Sequence, residues 1–358
     1  CQLNCRHTSS GPQVIVRVTS MPSRRKLVVT TLTLVLATAC TAPNTPTTAV
    51  PPTSETSGVP PTTSITATPS PSATAETTRL ASSPVLAVKI DNTSPARPRI
   101  GLSAADVIYV EPVEGGLTRL LAIYSSRQPE AVGPIRSARE SDAVLLANYG
   151  RVAFAFSGAS EITLSAVRQG AQVNVSFDES QQGFRRETAR PAPYNVIGSP
   201  ATLLARAGGS VAAGDVGFQF GPAPTGGQAA AGVQTAYPAA RLELRWDAGR
   251  SRYLVTTDGR AEVSDGQQVG AATVIVQTVR THLSANRDVN GQPTPVLDLV
   301  GSGAVSVYRD GLRFAGTWRR GAASEPTKLT GPDGTPLTLA AGPVWVLLVP
   351  TGQSVSSL

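Results

Sequence analysis

The sequence predicts an α+β fold: a mixed α/β domain over residues 84–210, a Gly/Pro-rich connection at 211–232 and a β-rich, antiparallel domain over 233–358. Two observations carry this expectation. In the first stretch, short apolar runs of strand length alternate with segments that have helix start and stop signals. In the second, five Asp-Gly or Asn-Gly dipeptides fall within about 100 residues and separate alternating runs, the pattern of a meandering sheet.

The segments before residue 84 have a different texture. Residues 1–20 precede Met21, the sole methionine, and are expected to be an upstream extension without structure. Residues 21–39 have the layout of an export signal: Arg24, Arg25 and Lys26, then the apolar run Leu27–Leu36, then the small residues Ala37, Thr38 and Ala39. That apolar run is too short to span a bilayer, which takes about 20 residues. Cys40 directly after the small residues marks a lipoprotein signal, since its sulfur can accept a diacylglycerol group; ordinary secretory cleavage is the alternative, because Ala37 stands where such signals more often carry leucine. The expected location is therefore the extracytoplasmic face of the membrane, with Cys40 as lipid anchor. From Thr41 to Ser83 the chain is mostly Thr, Ser, Pro and Ala with almost no charge, a composition that cannot bury enough apolar surface to order itself and reads as a tether.

This leader changes what composition implies. Five of the 31 Lys and Arg residues precede Cys40 and none of the 24 acids does, which leaves 26 basic and 24 acidic residues, a charge of +2, after the leader. The basic pI thus describes the leader and offers no basic stripe for nucleic acid, so no nucleic-acid partner is expected. Cys1, Cys5 and Cys40 are the only cysteines, so the folded part has neither disulfide nor thiolate chemistry. Past Cys40 the only lysines are Lys89 and Lys328, an imbalance that codon bias explains better than phosphate binding does.

Strands are expected at Val85–Ile90, Asp106–Val110, Leu117–Tyr124, Val152–Phe156 and Gln172–Phe177. Ser137 and Glu140 form a capping-box pattern ahead of a helix to Ala147. Ser160 would cap a helix over Ile162–Arg168 with Gly170 beyond its end, and Ser199-Pro200 would open a third, closed by Gly208. In the second domain Arg241–Trp246 alternates, Val274–Val279 and Val344–Val349 read as buried strands, and turns are expected at Asp258-Gly259, Asp265-Gly266, Asn290-Gly291, Asp310-Gly311 and Asp333-Gly334.

Three loops of the first domain collect its chemistry. Asp91 and Asn92 follow a strand and lead to Arg97; Glu111, Glu114, Gly115 and Gly116 precede Arg119; Arg136 and Arg139 lie beside a helix start. Acids and arginines at strand ends form a recognition cleft, in which the two glycines permit a tight turn or close approach to a ligand. Arginine forks and helix-start amides at Arg136 and Arg139 suit a carboxylate or phosphate. The plainer alternative is ion pairing within the loops, Glu114 with Arg119 and Asp91 with Arg97. Two of Asp91, Glu111 and Glu114 would also serve as acid and base in glycan cleavage.

The runs Ala87–Asn92, Ala96–Pro98, Gly101–Tyr109, Val113–Arg119 and Gly133–Arg139 resemble the YerB-type bacterial lipoproteins, whose defining domain has no assigned function. The likeness is dense over residues 84–205, and the β-rich half is similar to the second domain of those proteins. The sequence departs from that pattern at Phe154–Gly158, where the family more often has a histidine, and at Pro193-Tyr194-Asn195, where Pro-His-Asn is usual; the latter match makes Asn195 a further candidate. The resemblance implies an envelope role and no particular reaction.

Past the leader, His282 is the only histidine, too few for a metal pair, and a Ser-His-Asp triad would have to use it. No phosphate loop, dinucleotide fingerprint or zinc motif occurs, so neither metal nor cofactor is expected. The expected function is binding of an envelope ligand, whether a cell-wall fragment, a glycan or an anionic small molecule, through Asp91, Asn92, Arg97, Glu111, Glu114, Arg119, Arg136, Arg139 and Asn195. A carboxylate-dependent cell-wall hydrolase and an adaptor that meets another protein through its β-rich domain are the alternatives.

Overall fold

A computed structural model describes residues 84–208, 214–288 and 290–358; the leader, Cys40 and the tether lie outside the described residues. Strand accounts for 44% and helix for only 13%, so the expected α+β character survives as a strand-dominated fold with few helices. No described helix is long and apolar enough to cross a membrane.

The first strands are β1 (Leu86–Asp91), β2 (Val107–Pro112), β3 (Thr118–Tyr124), β4 (Ala153–Ala155) and β5 (Val173–Asn174). Between them lie α1 (Glu140–Leu146) and α2 (Glu161–Gln169), and α3 (Pro200–Arg206) follows. The later strands are β6 (Gly232–Tyr237), β7 (Ala240–Asp247), β8 (Arg252–Thr257), β9 (Thr273–Val279), β10 (Thr281–Arg287), β11 (Pro293–Leu297), β12 (Gly301–Arg309), β13 (Leu312–Arg320), β14 (Lys328–Thr330), β15 (Val344–Pro350) and β16 (Val355–Ser357). Most of them form one 11-stranded sheet in the order β14-β13-β12-β9-β15-β2-β3-β1-β4-β5, with Gln228–Ala229 added on β13. A second sheet is built around β8-β7-β6-β16.

Strands from both sequence stretches are thus joined in one sheet. β15 is parallel to β2 on one side and to β9 on the other, which corrects the expectation of a purely antiparallel C-terminal region. Its burial is consistent with that position: Val344 to Val349 are all buried, as a strand covered on both faces requires. Alternation along the central strands feeds two cores. Val88, Ile90, Val110 and Leu120 pack with Leu242 and Val255 of the second sheet, whereas Ala87, Tyr109, Leu121 and Ile123 face Leu145 and Leu146 of α1 and Val167 of α2.

The helices match their expected places with one change of start. Ser160 accepts from the Thr163 amide at 3.2 Å and caps α2, and Pro200 opens α3. α1, however, begins at Glu140 with Arg139 as its cap residue, and the Arg139 amide donates to Asp142 at 2.6 Å. Ser137 is therefore not the cap. The strand expected over 172–177 keeps only two residues, because Asn174 turns its side chain back to accept from the Ser176 amide at 2.9 Å.

Candidate functional site

The period-2 alternation that fills the α1-side core also places Lys89 and Asp91 of β1, Glu111 of β2 and Arg119 of β3 on that same face. Register completes the arrangement: Arg119 stands opposite Asp91 on one side and Glu111 on the other. The loop after Gly133 runs alongside the end of β1, with Asp91 N donating to Pro134 O at 3.0 Å and Arg136 N to Lys89 O at 2.9 Å. That pairing brings Arg136 Nε to 2.7 Å from Asp91 Oδ2. Arg139 Nη2 donates to Glu114 Oε2 at 2.7 Å, and Thr294 Oγ1 to Glu114 Oε1 at 2.5 Å.

The structure thus brings Asp91, Glu114, Arg119, Arg136 and Arg139 together, and Glu111 lies just beneath. The ion pairs are not those expected from spacing: Asp91 pairs with Arg136 instead of Arg97, and Glu114 with Arg139 instead of Arg119. Arg97 is directed elsewhere, donating to Thr257 O at 2.7 Å with Asp258 at 3.6 Å, and so ties its loop to the second sheet. Asn92 donates to Thr118 Oγ1 at 2.8 Å. Asn195 accepts from Arg186 at 2.9 Å, next to Tyr194, whose ring lies 5.6 Å from the Arg136 guanidinium carbon. Both glycines have positive φ, as a tight turn requires, but only Gly116 serves a close approach: a Cβ there would stand 2.5 Å from Pro238 Cβ, whereas one on Gly115 would meet open space.

Burial and charge set the electrostatics. Arg119 is only 9% exposed, and its sole hydrogen bond among the described residues goes from Nη1 to Ser137 O at 2.9 Å. Burial, then repulsion from Arg139 and Arg136, lowers its guanidinium to about 10, and Glu114 and Asp91 compensate only in part. Burial pushes the Glu114 carboxyl up, but the Arg139 hydrogen bond and charge and the Thr294 hydroxyl outweigh it and hold it below the usual range. Three arginines therefore face two carboxylates. The Arg136 side chain is 22% exposed, and its Nη groups make no hydrogen bond among the described residues.

Beneath this group lies a buried triad that spacing did not reveal. Lys89 Nζ donates to Glu111 Oε2 and to Asp142 Oδ1, each at 2.6 Å, and all three side chains are at most 1% exposed. Burial, then the neighbouring Asp142, pushes the Glu111 carboxyl up to about 8 despite Lys89. Lys89, a lone lysine two positions before Asp91 in an apolar strand, was the available signal. Asp142, Thr118 and Thr294 carried none, since their partners are distant in sequence. His282 is exposed and lies 3.1 Å from Asp298, away from this cluster's residues.

A β-rich scaffold with an arginine-dominated charge cluster at the ends of three adjacent strands is the class these features define. The description "Protein of unknown function (DUF3048) N-terminal domain" matches residues 70–213, and its C-terminal counterpart matches 233–346. The chain belongs to this family, as the motif resemblance indicated. A Bacillus subtilis (strain 168) protein named "Putative lipoprotein YerB" is 53% identical over 55 residues, a match that covers 15% of this chain and 17% of that protein. The crystal structure of the YerB protein from Bacillus subtilis has the same fold, with a TM-score of 0.65 at 23% identity over 79% of this chain and 97% of that one.

Proposed function

We propose that this chain is an envelope lipoprotein, held at the extracytoplasmic face by lipidated Cys40, that binds an anionic group of a cell-wall fragment through Arg119 and Arg136. The observation that carries the ligand reading is the surplus cation. Arg119 is nine-tenths buried among two further arginines, with only two carboxylates to balance them. A half-buried charge without full compensation costs several kcal/mol, and a bound carboxylate or phosphate offsets that cost. Free Nη donors on Arg136 and the adjoining Tyr194 ring suit an anion attached to a sugar. Support for the anchor comes from the leader ending at Cys40 and from the printed name of the Bacillus relative.

The hydrolase alternative draws less support, because Asp91 and Glu114 each pair with an arginine and Glu111 with Lys89. Titration calorimetry with muramyl peptides and with phosphate-bearing wall polymers tests the binding reading. Arg119→Met and Arg136→Gln should each weaken the complex at least about tenfold, the loss of one charge-assisted pair. Unchanged affinity in both variants would remove this site. Metabolic labelling with an alkyne fatty acid, lost in Cys40→Ser, tests the anchor.

A further inference from the structure

A large cleft lies elsewhere. It measures about 1320 Å³ and opens at the other end of β2, where Val107 and Ile108 line it. Three to four residue steps along that strand, about 10–13 Å, separate these lining residues from Glu111 and the arginine cluster. Its volume exceeds the few hundred to about 1,000 Å³ of ordinary small-molecule sites.

The lining divides by chemistry. Leu254 and Trp345 supply an apolar floor, Phe218 and Phe220 an aromatic wall, and Arg127 and Arg252 stand among the polar residues of the rim. Neither arginine has a carboxylate within ion-pair distance among the described residues: Arg127 donates to Ser103 O at 2.8 Å, and Arg252 to Ser251 O at 2.8 Å. Two acids share the cleft but are already engaged. Asp106 accepts from the Ser125 and Ser126 amides at 2.7 and 2.9 Å, and Asp215 from the Gly217 amide at 2.8 Å. The third rim cation, Arg250, is paired with Asp247 at 2.6 Å.

A second sign comes from the floor. Trp345 is 1% exposed, and its indole nitrogen has no hydrogen-bond partner among the described residues. Buried indole N–H groups usually have one, and leaving a buried donor unmet costs about 1–3 kcal/mol.

We infer that this cleft is a second binding site, for an amphipathic anion: a hydrocarbon or apolar ring system on Leu254, Trp345 and the two phenylalanines, with a carboxylate or phosphate head at Arg127 and Arg252. The apolar part covers the half-buried Leu254, Phe218 and Phe220, and the head meets the two cations that have no carboxylate partner among the described residues. The site is independent of the arginine cluster described above.

Calorimetric titration of the purified chain with dodecanoate and with dodecyl phosphate, each below its micelle concentration, tests this inference, with dodecyltrimethylammonium as the matched cation. Both anions should bind at least tenfold more tightly than the cation, and the tighter of the two identifies the head group. The double variant Arg127→Gln with Arg252→Gln and the variant Leu254→Glu, each checked for an unaltered thermal melt, should lose at least tenfold in affinity for the anions. Arg168→Gln, a surface change outside both sites, should lose none, which ties the loss to the cleft. Equal binding of anion and cation, absence of binding, or full affinity in both cleft variants would overturn the proposal.

Discussion

At the residue scale the least comfortable group is the buried triad. One ammonium between two carboxylates leaves a net negative charge where water cannot reach, and the triad relieves it by keeping a proton on Glu111, whose Oε1 has no hydrogen-bond partner. The consequence for stability has a definite sign. In the unfolded chain this carboxyl has its ordinary value near 4.5, and in the folded chain it is raised to about 8, so the folded state holds the proton more tightly. Stability from this group is therefore fully present below about pH 4.5 and is lost as pH rises toward 8. Glu111→Gln keeps the shape, removes the titration and leaves Lys89 paired with Asp142 alone. Urea unfolding from pH 5 to 8.5 should show the unmodified chain losing on the order of 4 kcal/mol relative to the variant across this window. Parallel pH profiles for the two proteins would refute the assignment. The arrangement also bears on the arginine site above it: Asp142 holds both Lys89 and the Arg139 amide, and Arg139 in turn holds Glu114.

At the scale of elements, what was legible depended on how local the cause was. The strand runs, the Ser160 cap, the Pro200 helix start and the Asp-Gly turns are written in adjacent residues, and the structure has them. Asp258, Asp265 and Asp310 all have positive φ, as do the glycines after them, the backbone that two-residue hairpins demand. The start of α1 was misread because Ser137 and Asp142 both offer caps, and the pairing of residues 134–136 with β1 pulls Ser137 out of reach of the helix. The ion pairs of the candidate site were misassigned for a related reason: spacing along the chain favours near neighbours, whereas register and the 133–138 loop decide which arginine meets which acid. Glycine substitutions separate the two kinds of cause. Gly259→Ala places a Cβ in open space at a φ of +73°, so its cost is conformational alone and should be about 1 kcal/mol. Gly316→Ala, in the middle of β13, would put a Cβ 2.1 Å from the Thr330 carbonyl oxygen. Backbone must shift there, and the loss should be larger, about 2–3 kcal/mol, by urea denaturation. A smaller loss at Gly316 than at Gly259 would show that β14 yields freely.

On the scale of the whole molecule, the decisive element is β15, the last strand but one. Val344–Val349 reads in the sequence as a buried strand, but nothing local says that it lies between β2 and β9 and joins them in parallel. Long-range parallel pairing leaves no turn signature, which is why an antiparallel second region was the natural expectation. Its consequence for the first region is physical. Without β15, the edge of β2 would present unpaired amides and carbonyls from Val107 to Val110, and the apolar faces there would lose Trp345, Val346 and Leu347. Loss of the second sheet would also uncover Val88, Ile90, Val110 and Leu120. Several large buried side chains at about 1.5–3 kcal/mol each exceed the 5–15 kcal/mol that typically holds a domain together. Residues 84–210 expressed alone should therefore lack a cooperative thermal transition and aggregate through the open β2 edge. The full chain ending at Gly342 should behave the same way, although it retains every residue of the candidate arginine site in the first region. Circular dichroism melts and size-exclusion chromatography of the two fragments decide the matter. A monomeric, cooperatively melting 84–210 fragment would show that β15 is dispensable, and that the arginine site can be assembled without the second half of the chain.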